Sequence, residues 1–290
     1  MPRRFKSAFL LLMIASTAFG QTVVRKGPIV RQVDRILVES GDAKALIEFF
    51  AADLQLPEAW PLAEDQLHLS GGVGAGNVTI EIYEYAIRKR VPSQKIGLAR
   101  FAGLALEPYP LEDALREMKA EGIAYDPPQP AISILPDGKR GVAWTTVPLP
   151  AFSNSGLSIF LHEYSQAFLR VDVRRKQLGN RLTLNNGGPL GIQSVREVVL
   201  SATNVVQQRA AWQRLLGPQS PSGTWNPGNG PAIRVVPGSQ DRVQKLVIQV
   251  RSLNQAAAFL KKRNLLGPIS TSQVSINPSG IQGLGINLVE

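Results

Sequence analysis

The amino-acid sequence predicts an α+β fold made of four strand–helix–strands modules that pair into two domains. The strand VDRILVES, which starts at Val33, is echoed by VREVVLSA, which starts at Val195, and a helical pattern follows each of them. Farther along, KLVIQVRSLNQAAAFLKKRNLLG (245–267) repeats the pattern of GLALEPYPLEDALREMKAEGI (103–123). Self-similarity over such distances is typical of a repeated structural module.

Each element of the first domain, predicted for residues 33–164, follows from local patterns. VDRILVES is short, apolar and β-rich, and Asp42 suits the N-cap of the helix that comes next. The segment 67–85 contains a glycine-rich turn before NVTIEIYEY, whose apolar residues alternate with polar ones, and this predicts a hairpin. A second strand and amphipathic helix end at Gly122, and later strands are expected near 142–147 and 157–164.

A stretch rich in glycine, asparagine and proline, LGNRLTLNNGGPLG, predicts a linker over residues 165–191. The second domain, residues 192–290, then repeats the first strand and helix. GPAIRVVPG takes the place of NVTIEIYEY, and GLGINLVE takes the place of LSIFLHEY. Two modules are therefore expected in each half of the chain.

The N-terminus has the pattern of a bacterial signal peptide over residues 1–20. Basic residues at positions 3, 4 and 6 precede a short apolar run, and small residues precede a cleavage site between Gly20 and Gln21. The run is shorter than the roughly 20 residues that a membrane-spanning helix needs. We expect a periplasmic or secreted protein that is free of the membrane after cleavage.

Composition narrows the function classes. The formal net charge is +10, but the charges are scattered, with RVDVRRK (170–176) the densest run, and no basic motif is interleaved with aromatic residues. The run is interpreted as solvated surface, and no nucleic-acid partner is predicted. The chain has no cysteine and only two histidines, so it contains no disulfide, no thiolate metal ligand and no nucleophile motif.

The order of the modules, with phrases such as VDRILVES…ALIEFFAADLQLP, LALEPYPLEDALREMKAEGI and NNGGPLGIQSVREVVL, resembles the vicinal oxygen chelate superfamily. This superfamily includes glyoxalase I, bleomycin-resistance proteins and extradiol dioxygenases. The resemblance covers nearly all of the chain after the leader. It implies βαβββ modules whose mixed sheets curl around a cavity. Such phrases specify a fold much better than an activity.

In metal-dependent members the resemblance implies ligands on the first and last strands of each module. Matching those positions one by one gives Arg35, Glu81, Gly103 and Glu163 in the first domain. The second domain has Glu197, Arg234, Lys245 and Glu290, which suggests ion pairs. An arginine does not ligate a cation, and its charge opposes one nearby. His162, adjacent to Glu163, is the alternative histidine ligand, and a weak site made from His68, Glu81 and Glu163 is a further alternative.

The prediction is therefore a protein that binds a small organic molecule, without a metal cofactor, through Arg35, Glu81 and Glu163. Trp225, in a loop-like stretch, is the best aromatic candidate for a cavity rim. The alternative is a lyase, isomerase or dioxygenase, lactoylglutathione-lyase-like, with one Zn, Mn, Ni or Fe ion on Glu81, Glu163 and His162, and Glu163 as the catalytic residue. A third class, an envelope scaffold, stays open. A monomer or homodimer is expected, because paired modules close a cavity within one chain.

Overall fold

The computed structural model describes residues 29–64, 68–85 and 98–290. The predicted signal peptide, residues 1–20, lies outside these residues. The first half contains β1 Val30–Glu39, α1 Ala43–Glu48 with a π-helical continuation Phe49–Asp53, β2 Glu58–Glu64, β3 His68–Gly74, β4 Thr79–Tyr85, β5 Arg100–Pro108, α2 Leu111–Ala120, β6 Gln129–Ile134, β7 Arg140–Pro148 and β8 Ser158–Tyr164. The second half contains α3 Val171–Leu184, β9 Ile192–Ala202, α4 Val205–Leu216, β10 Ala232–Pro237, β11 Arg242–Val250, α5 Leu253–Lys262, β12 Leu266–Ile269, β13 Val274–Ile276 and β14 Ile286–Val289.

The first two modules form one eight-stranded mixed sheet in the order β2-β3-β4-β1-β5-β8-β7-β6. Within each module the first and last strands are parallel neighbours, β1 with β4 and β5 with β8, and the modules join where β1 pairs antiparallel with β5. The four strands that the resemblance marks as ligand-bearing are therefore adjacent in the centre of the sheet.

The second sheet has six strands in the order β10-β9-β11-β14-β13-β12. It repeats the same central pairing, with β9 parallel to β10, β11 parallel to β14, and β9 antiparallel to β11. Its first module is shorter than predicted, because among the described strands only β9 and β10 belong to it. In place of the missing hairpin, Trp225 forms an isolated antiparallel bridge with Ile233 along the outer side of β10.

Local sequence explains the helices on these sheets. Asp42 caps α1 by accepting from the amide of Ala45, and Asn204 and Ser252 cap α4 and α5 in the same manner. Fully buried aliphatic side chains such as Leu46, Leu104 and Leu246 fill the space between helices and sheets. This burial is the main stabilising term for each half.

Helix α3 occupies part of the segment that was predicted as a linker. Its Leu178 packs on Gly74 of β3, where an added Cβ would lie 2.9 Å from the leucine Cβ. The helix therefore lies against the first sheet rather than spanning solvent. None of the helices in the described ranges is long and apolar enough to cross a membrane.

Candidate ligand-binding site

The centre of the site is a cross-strand ion pair between Arg35 of β1 and Glu81 of β4. Parallel pairing sets Leu37 beside Glu81, so Arg35 and Glu81 lie diagonally across neighbouring strands. The Nε atom of Arg35 donates to Oε2 of Glu81 at 2.6 Å. Its Nη1 atom donates to the Tyr164 hydroxyl at 2.5 Å and to Oδ2 of Asp34 at 2.9 Å. Three elements of the sheet therefore hold one guanidinium group.

This guanidinium group stays charged although its side chain is only 11% exposed. Burial by itself lowers the pKa of Arg35, but the neighbouring Tyr164, Glu81 and Asp34 raise the pKa above its ordinary value. A buried charge is tolerated only when it is paired and hydrogen-bonded. Glu81, Asp34 and Tyr164 supply this pairing and hydrogen bonding for Arg35.

Helix α3 adds two more arginines to the same network. Arg174 Nη2 donates to Oδ1 of Asp34 at 3.0 Å, and Arg175 Nη2 donates to the main-chain carbonyls of Val33 and Asp34. The Arg174 guanidinium also lies 5.8 Å from the ring centroid of Trp60 and 5.6 Å from that of Tyr164. Asp34, fully buried, is thus the anchor that fastens α3 to the first sheet.

Aromatic side chains flank the Arg35–Glu81 pair on both sides. On β3 and β4, His68, Tyr83 and Tyr85 form a cluster with ring centroids 5.0–5.6 Å apart. Because residues two apart on a strand share a face, Tyr83 and Tyr85 lie on the same face as Glu81. The pairs His68–Tyr83 and Tyr83–Tyr85 meet edge to face, so this first aromatic cluster presents both ring edges and ring faces.

A second cluster lies across the sheet on β7 and β8. Trp144 contacts His162 and Tyr164, and the rings of His162 and Tyr164 are 4.6 Å apart. Trp144 and Tyr164 are partly exposed. Tyr164 connects this second cluster to Arg35 through its hydroxyl. The pKa of Tyr164 is raised, chiefly by burial, so this hydroxyl keeps its proton.

His162 is a neutral member of the second cluster. Its side chain is buried, its Nδ1 atom is 3.1 Å from the Thr146 hydroxyl, and its Nε2 atom has no hydrogen-bond partner among the described residues. Burial, together with the positive charges of Arg35 and Arg174, lowers its pKa to about 2. Near neutral pH such a histidine is uncharged, so its ring can form hydrogen bonds but has no proton to release as an acid.

The ion pair retains unused hydrogen-bonding capacity. Arg35 Nη2 has no acceptor, and Glu81 Oε1 has no donor, within the part of the chain that the structure describes. One donor and one acceptor therefore stand side by side between the two aromatic clusters. This pattern suits a ligand group that itself carries a donor and an acceptor, such as an amide or a pair of hydroxyls.

Glu163 lies apart from this arrangement. As the neighbour of His162 and Tyr164 on β8, it points to the opposite face of the sheet. There its Oε1 atom accepts from the amide of Leu111, the first residue of α2, at 2.8 Å. Pro110, the N-cap residue of this helix, has no side-chain acceptor, and Glu163 supplies one instead. Glu163 is thus not brought together with Arg35 and Glu81.

Gly103, the remaining position implied in the first domain, has no room for a side chain. An ideal Cβ on Gly103 would lie 1.9 Å from the carbonyl oxygen of Ser158 on the neighbouring strand. Close approach of β5 and β8 therefore requires glycine here. A histidine at this position would force the two central strands apart.

The second sheet carries the same pair with the charges exchanged. Glu197 on β9 accepts from Arg234 on β10, with Oε1 to Nε at 2.5 Å and Oε2 to Nη2 at 3.0 Å. Glu290 accepts from the amide of Leu253, the first residue of α5, at 2.6 Å. Each sheet thus uses its implied ligand positions for one cross-strand ion pair and one helix cap.

These positions do not fit a divalent metal. A metal site needs three or four converging nitrogen or oxygen donors. In the first sheet Glu81 is bound to an arginine, Glu163 points away and Gly103 has no side chain. No group of three or more histidine, aspartate or glutamate side chains that could hold a metal occurs among residues 29–64, 68–85 and 98–290.

Two other predicted features are placed differently from expectation. Trp225 is 1% exposed, and its ring centroid lies 6.5 Å from that of Trp212. Its Nε1 atom donates to the carbonyl of Gly217. Trp225 is therefore a core residue of the second half and does not form a cavity rim. The basic run 170–176 is not simply solvated surface, since Arg174 and Arg175 enter the Asp34 network.

A cavity of about 540 Å³ opens at the end of the first sheet beside Tyr164. Its other walls include Arg31, Glu107, Arg170 and the predicted site residue Glu163. This volume is in the range of small-molecule sites. Tyr164 therefore contacts both the Arg35–Glu81 pair and open space.

No family model matches the chain, and no curated protein matches its sequence. Solved structures do match. A variant of homoprotocatechuate 2,3-dioxygenase from Brevibacterium fuscum aligns over 92% of this chain and 73% of its own, with a TM-score of 0.55 and 13% identity. The 2,3-dioxygenase LapB from Pseudomonas sp. KL28 aligns over 90% of this chain and 92% of its own, with a TM-score of 0.55 and 13% identity.

The chain has the vicinal oxygen chelate fold. A hypothetical protein from Staphylococcus aureus shares it as well, with a TM-score of 0.55 and 12% identity over 89% of this chain and 98% of that one. The predicted class, α+β with two curled mixed sheets, is confirmed by these alignments. At such identities the likeness concerns the fold alone. Within a vicinal oxygen chelate fold, this chain puts an Arg35–Glu81 ion pair where the resemblance implies a metal.

Proposed function

We propose that this protein binds a small organic molecule, without a metal, on the face of the eight-stranded sheet that carries Arg35 and Glu81. The observation that carries the proposal is the ion pair itself, which offers Arg35 Nη2 as a donor and Glu81 Oε1 as an acceptor between two groups of aromatic rings. Groups of this kind fix the orientation of a ligand whose remaining surface is held by apolar contact.

The chemistry of the face favours an aromatic ligand with one polar substituent. The rings of Tyr83 and Trp144 are partly exposed, and aromatic pairs contribute about 0.5–1.5 kcal/mol beyond simple burial. The Arg35–Glu81 pair is neutral as a whole, so the ligand needs no net charge. An amide or a catechol-like pair of hydroxyls matches the free donor and acceptor.

The test is isothermal titration calorimetry of the mature chain with benzamide, catechol and, as an apolar reference, toluene. We expect at least one polar compound to bind and toluene to bind more weakly. Glu81→Gln should weaken binding about tenfold, since a charge-assisted hydrogen bond contributes about 1.5–3 kcal/mol. The matched control is Glu197→Gln, which alters the equivalent pair of the second sheet and should leave affinity unchanged.

Equal losses from Glu81→Gln and Glu197→Gln would contradict the proposal, because they would indicate a general effect on folding. Tight binding of toluene with no effect of Glu81→Gln would contradict it too. Elemental analysis of the purified chain by mass spectrometry addresses the metal-dependent alternative. About one Zn, Mn, Ni or Fe ion per chain, lost in Glu81→Gln, would overturn the metal-free proposal.

We also propose that the protein is exported and that residues 1–20 are removed. The charged start, short apolar run and small residues before Gln21 support this. Expression of the full chain in a bacterial host, followed by fractionation and intact-mass measurement, should find a mature chain that begins at Gln21 outside the cytoplasm. A full-length mass in the cytoplasmic fraction would contradict export.

A further inference from the structure

A second cavity, of about 630 Å³, lies where the two sheets meet. Its walls come from the starts of β5 and β11, the loop around Asn154 and the turn at Gly283. Hydrogen bonds join the two halves around it, from Asn154 Nδ2 to the carbonyl of Asp241 at 2.9 Å and from the amide of Ala99 to the carbonyl of Gln282 at 2.6 Å. The groove is therefore built by both halves of the chain.

Its polar groups fall into two kinds. Arg100 is already engaged, with Nη2 donating to Glu39 at 2.5 Å and Nη1 donating to the carbonyl of Gly156. Arg242 is exposed and forms no ion pair with any residue in the described ranges. The carboxylate of the adjacent Asp241 is bound to the amide and hydroxyl of Thr203 at 2.6 and 2.8 Å. Arg242 is therefore a cation of the groove that no acidic side chain pairs with among the described residues, and the adjacent Asp241 keeps its negative charge with its carboxylate turned toward Thr203.

The side-chain amides of Gln240 and Gln244 stand on the same wall as Arg242. Both residues are exposed, and their amides have no hydrogen bond within the described part of the chain. An amide donates and accepts at once, as a hydroxyl does, whereas a guanidinium group offers a fixed fork that matches a carboxylate. The wall therefore combines one anion-binding group with two hydroxyl-binding groups.

We propose that this groove is a second binding site, separate from the Arg35–Glu81 face, for a hydroxylated organic acid such as a sugar acid. The carboxylate pairs with Arg242, and Gln240 and Gln244 bind the hydroxyls. Because residues from both sheets form the walls, the ligand contacts both halves and stabilises their contact by mass action.

The experiment is calorimetric titration of the mature chain with D-glucuronate and D-gluconate, and with D-glucose and sorbitol as neutral partners of the same shape. We expect saturable binding of at least one acid and at least tenfold weaker binding of the neutral compounds. Arg242→Gln should lower the affinity for the acid about tenfold, and Gln244→Ala should lower it less. The matched control, Arg214→Gln, removes an exposed arginine in the last turn of α4 and should change nothing.

Thermal melting of each variant shows whether it is folded. No binding of either acid to the folded chain, equal binding of acids and neutral sugars, or unchanged binding in Arg242→Gln overturns the proposal. Glu81→Gln should leave the affinity for the sugar acids unchanged, so the groove and the Arg35–Glu81 face are tested separately.

Discussion

Glu163 and Glu290 hold equivalent positions, because each accepts a hydrogen bond from the first amide of the helix in its own module. The acceptor distances are 2.8 Å to Leu111 and 2.6 Å to Leu253. A carboxylate here satisfies an otherwise unpaired donor and complements the positive end of the helix dipole. The two related modules thus both use the glutamate at the end of their last strand to cap their helix, at a position where the resemblance implies a metal ligand.

The first prediction concerns this cap. Glu163→Ala should lower the free energy of unfolding by about 1 kcal/mol, the usual loss for an N-terminal cap, and Glu163→Gln should cost less because the amide oxygen still accepts. Urea denaturation measures both. Affinity for the aromatic ligand should not change. Loss of affinity at unaltered stability would instead assign Glu163 to the ligand site.

The second prediction compares the two cross-strand pairs. Removing one partner of a buried pair leaves an uncompensated charge, which costs about 3–5 kcal/mol, whereas an exposed pair contributes about 1 kcal/mol or less. The Arg35 side chain is 11% exposed and the Arg234 side chain is 35% exposed. Arg35→Met should therefore destabilise the chain severely and Arg234→Met only slightly in urea denaturation. Similar losses would show that the two pairs are equally solvated.

The third prediction concerns the attachment of α3. Asp34→Asn removes the charge that pairs with Arg35 and Arg174, and it should destabilise the chain by about 3 kcal/mol. Amide hydrogen exchange should accelerate across α3 more than across α5. Asp172→Asn, an exposed change on the same helix, is the control and should alter exchange little. Uniform acceleration in both helices would mean that Asp34 acts on the whole fold.

The fourth prediction is a pH dependence from His162. Its pKa is lowered to about 2 in the folded chain, whereas the unfolded value is near 6.5, so the unfolded state binds more protons between these values. Stability is full above about pH 6.5 and falls by up to about 1.4 kcal/mol per unit as the pH decreases. Denaturation between pH 7 and 4 should show a shallower fall in His162→Gln than in His68→Gln. Identical slopes would contradict a neutral buried His162.

The strand–helix starts of the modules and the hairpin of β3 and β4 could be predicted because they depend on patterns within short segments, whereas the hairpin missing from the second half was not foreseen. Ion pairs in the second domain were also expected, since two acidic and two basic residues stand at the implied positions, and the structure forms one of them between Glu197 and Arg234. Asp34 could not be singled out, because nothing local shows that a helix far along the chain will bring Arg174 to it. The density of arginines in RVDVRRK was the available signal, and it was interpreted as surface.

The structure separates Glu163 from Arg35 and Glu81 and buries Trp225, for different physical reasons. On a strand, a step of one residue exchanges the two faces, so grouping Glu163 with Arg35 and Glu81 depended on an exact register. Trp225 lies in a segment rich in glycine and proline, which usually indicates an exposed loop. Its burial depends on contact with Trp212 and on a main-chain bridge to Ile233, and neither is visible in the local sequence.

The Trp225–Ile233 bridge also affects whether β10 can pair with strands of other protein molecules. The outer edge of β10 would offer free amides and carbonyls to any passing strand, and such edges are templates for polymerisation. Trp225 exchanges two main-chain hydrogen bonds with Ile233, at 2.9 and 2.8 Å, and its ring is anchored in the core. A short loop thus pairs with part of the edge that the missing hairpin would have covered, so fewer main-chain groups of β10 are left for a strand of another chain.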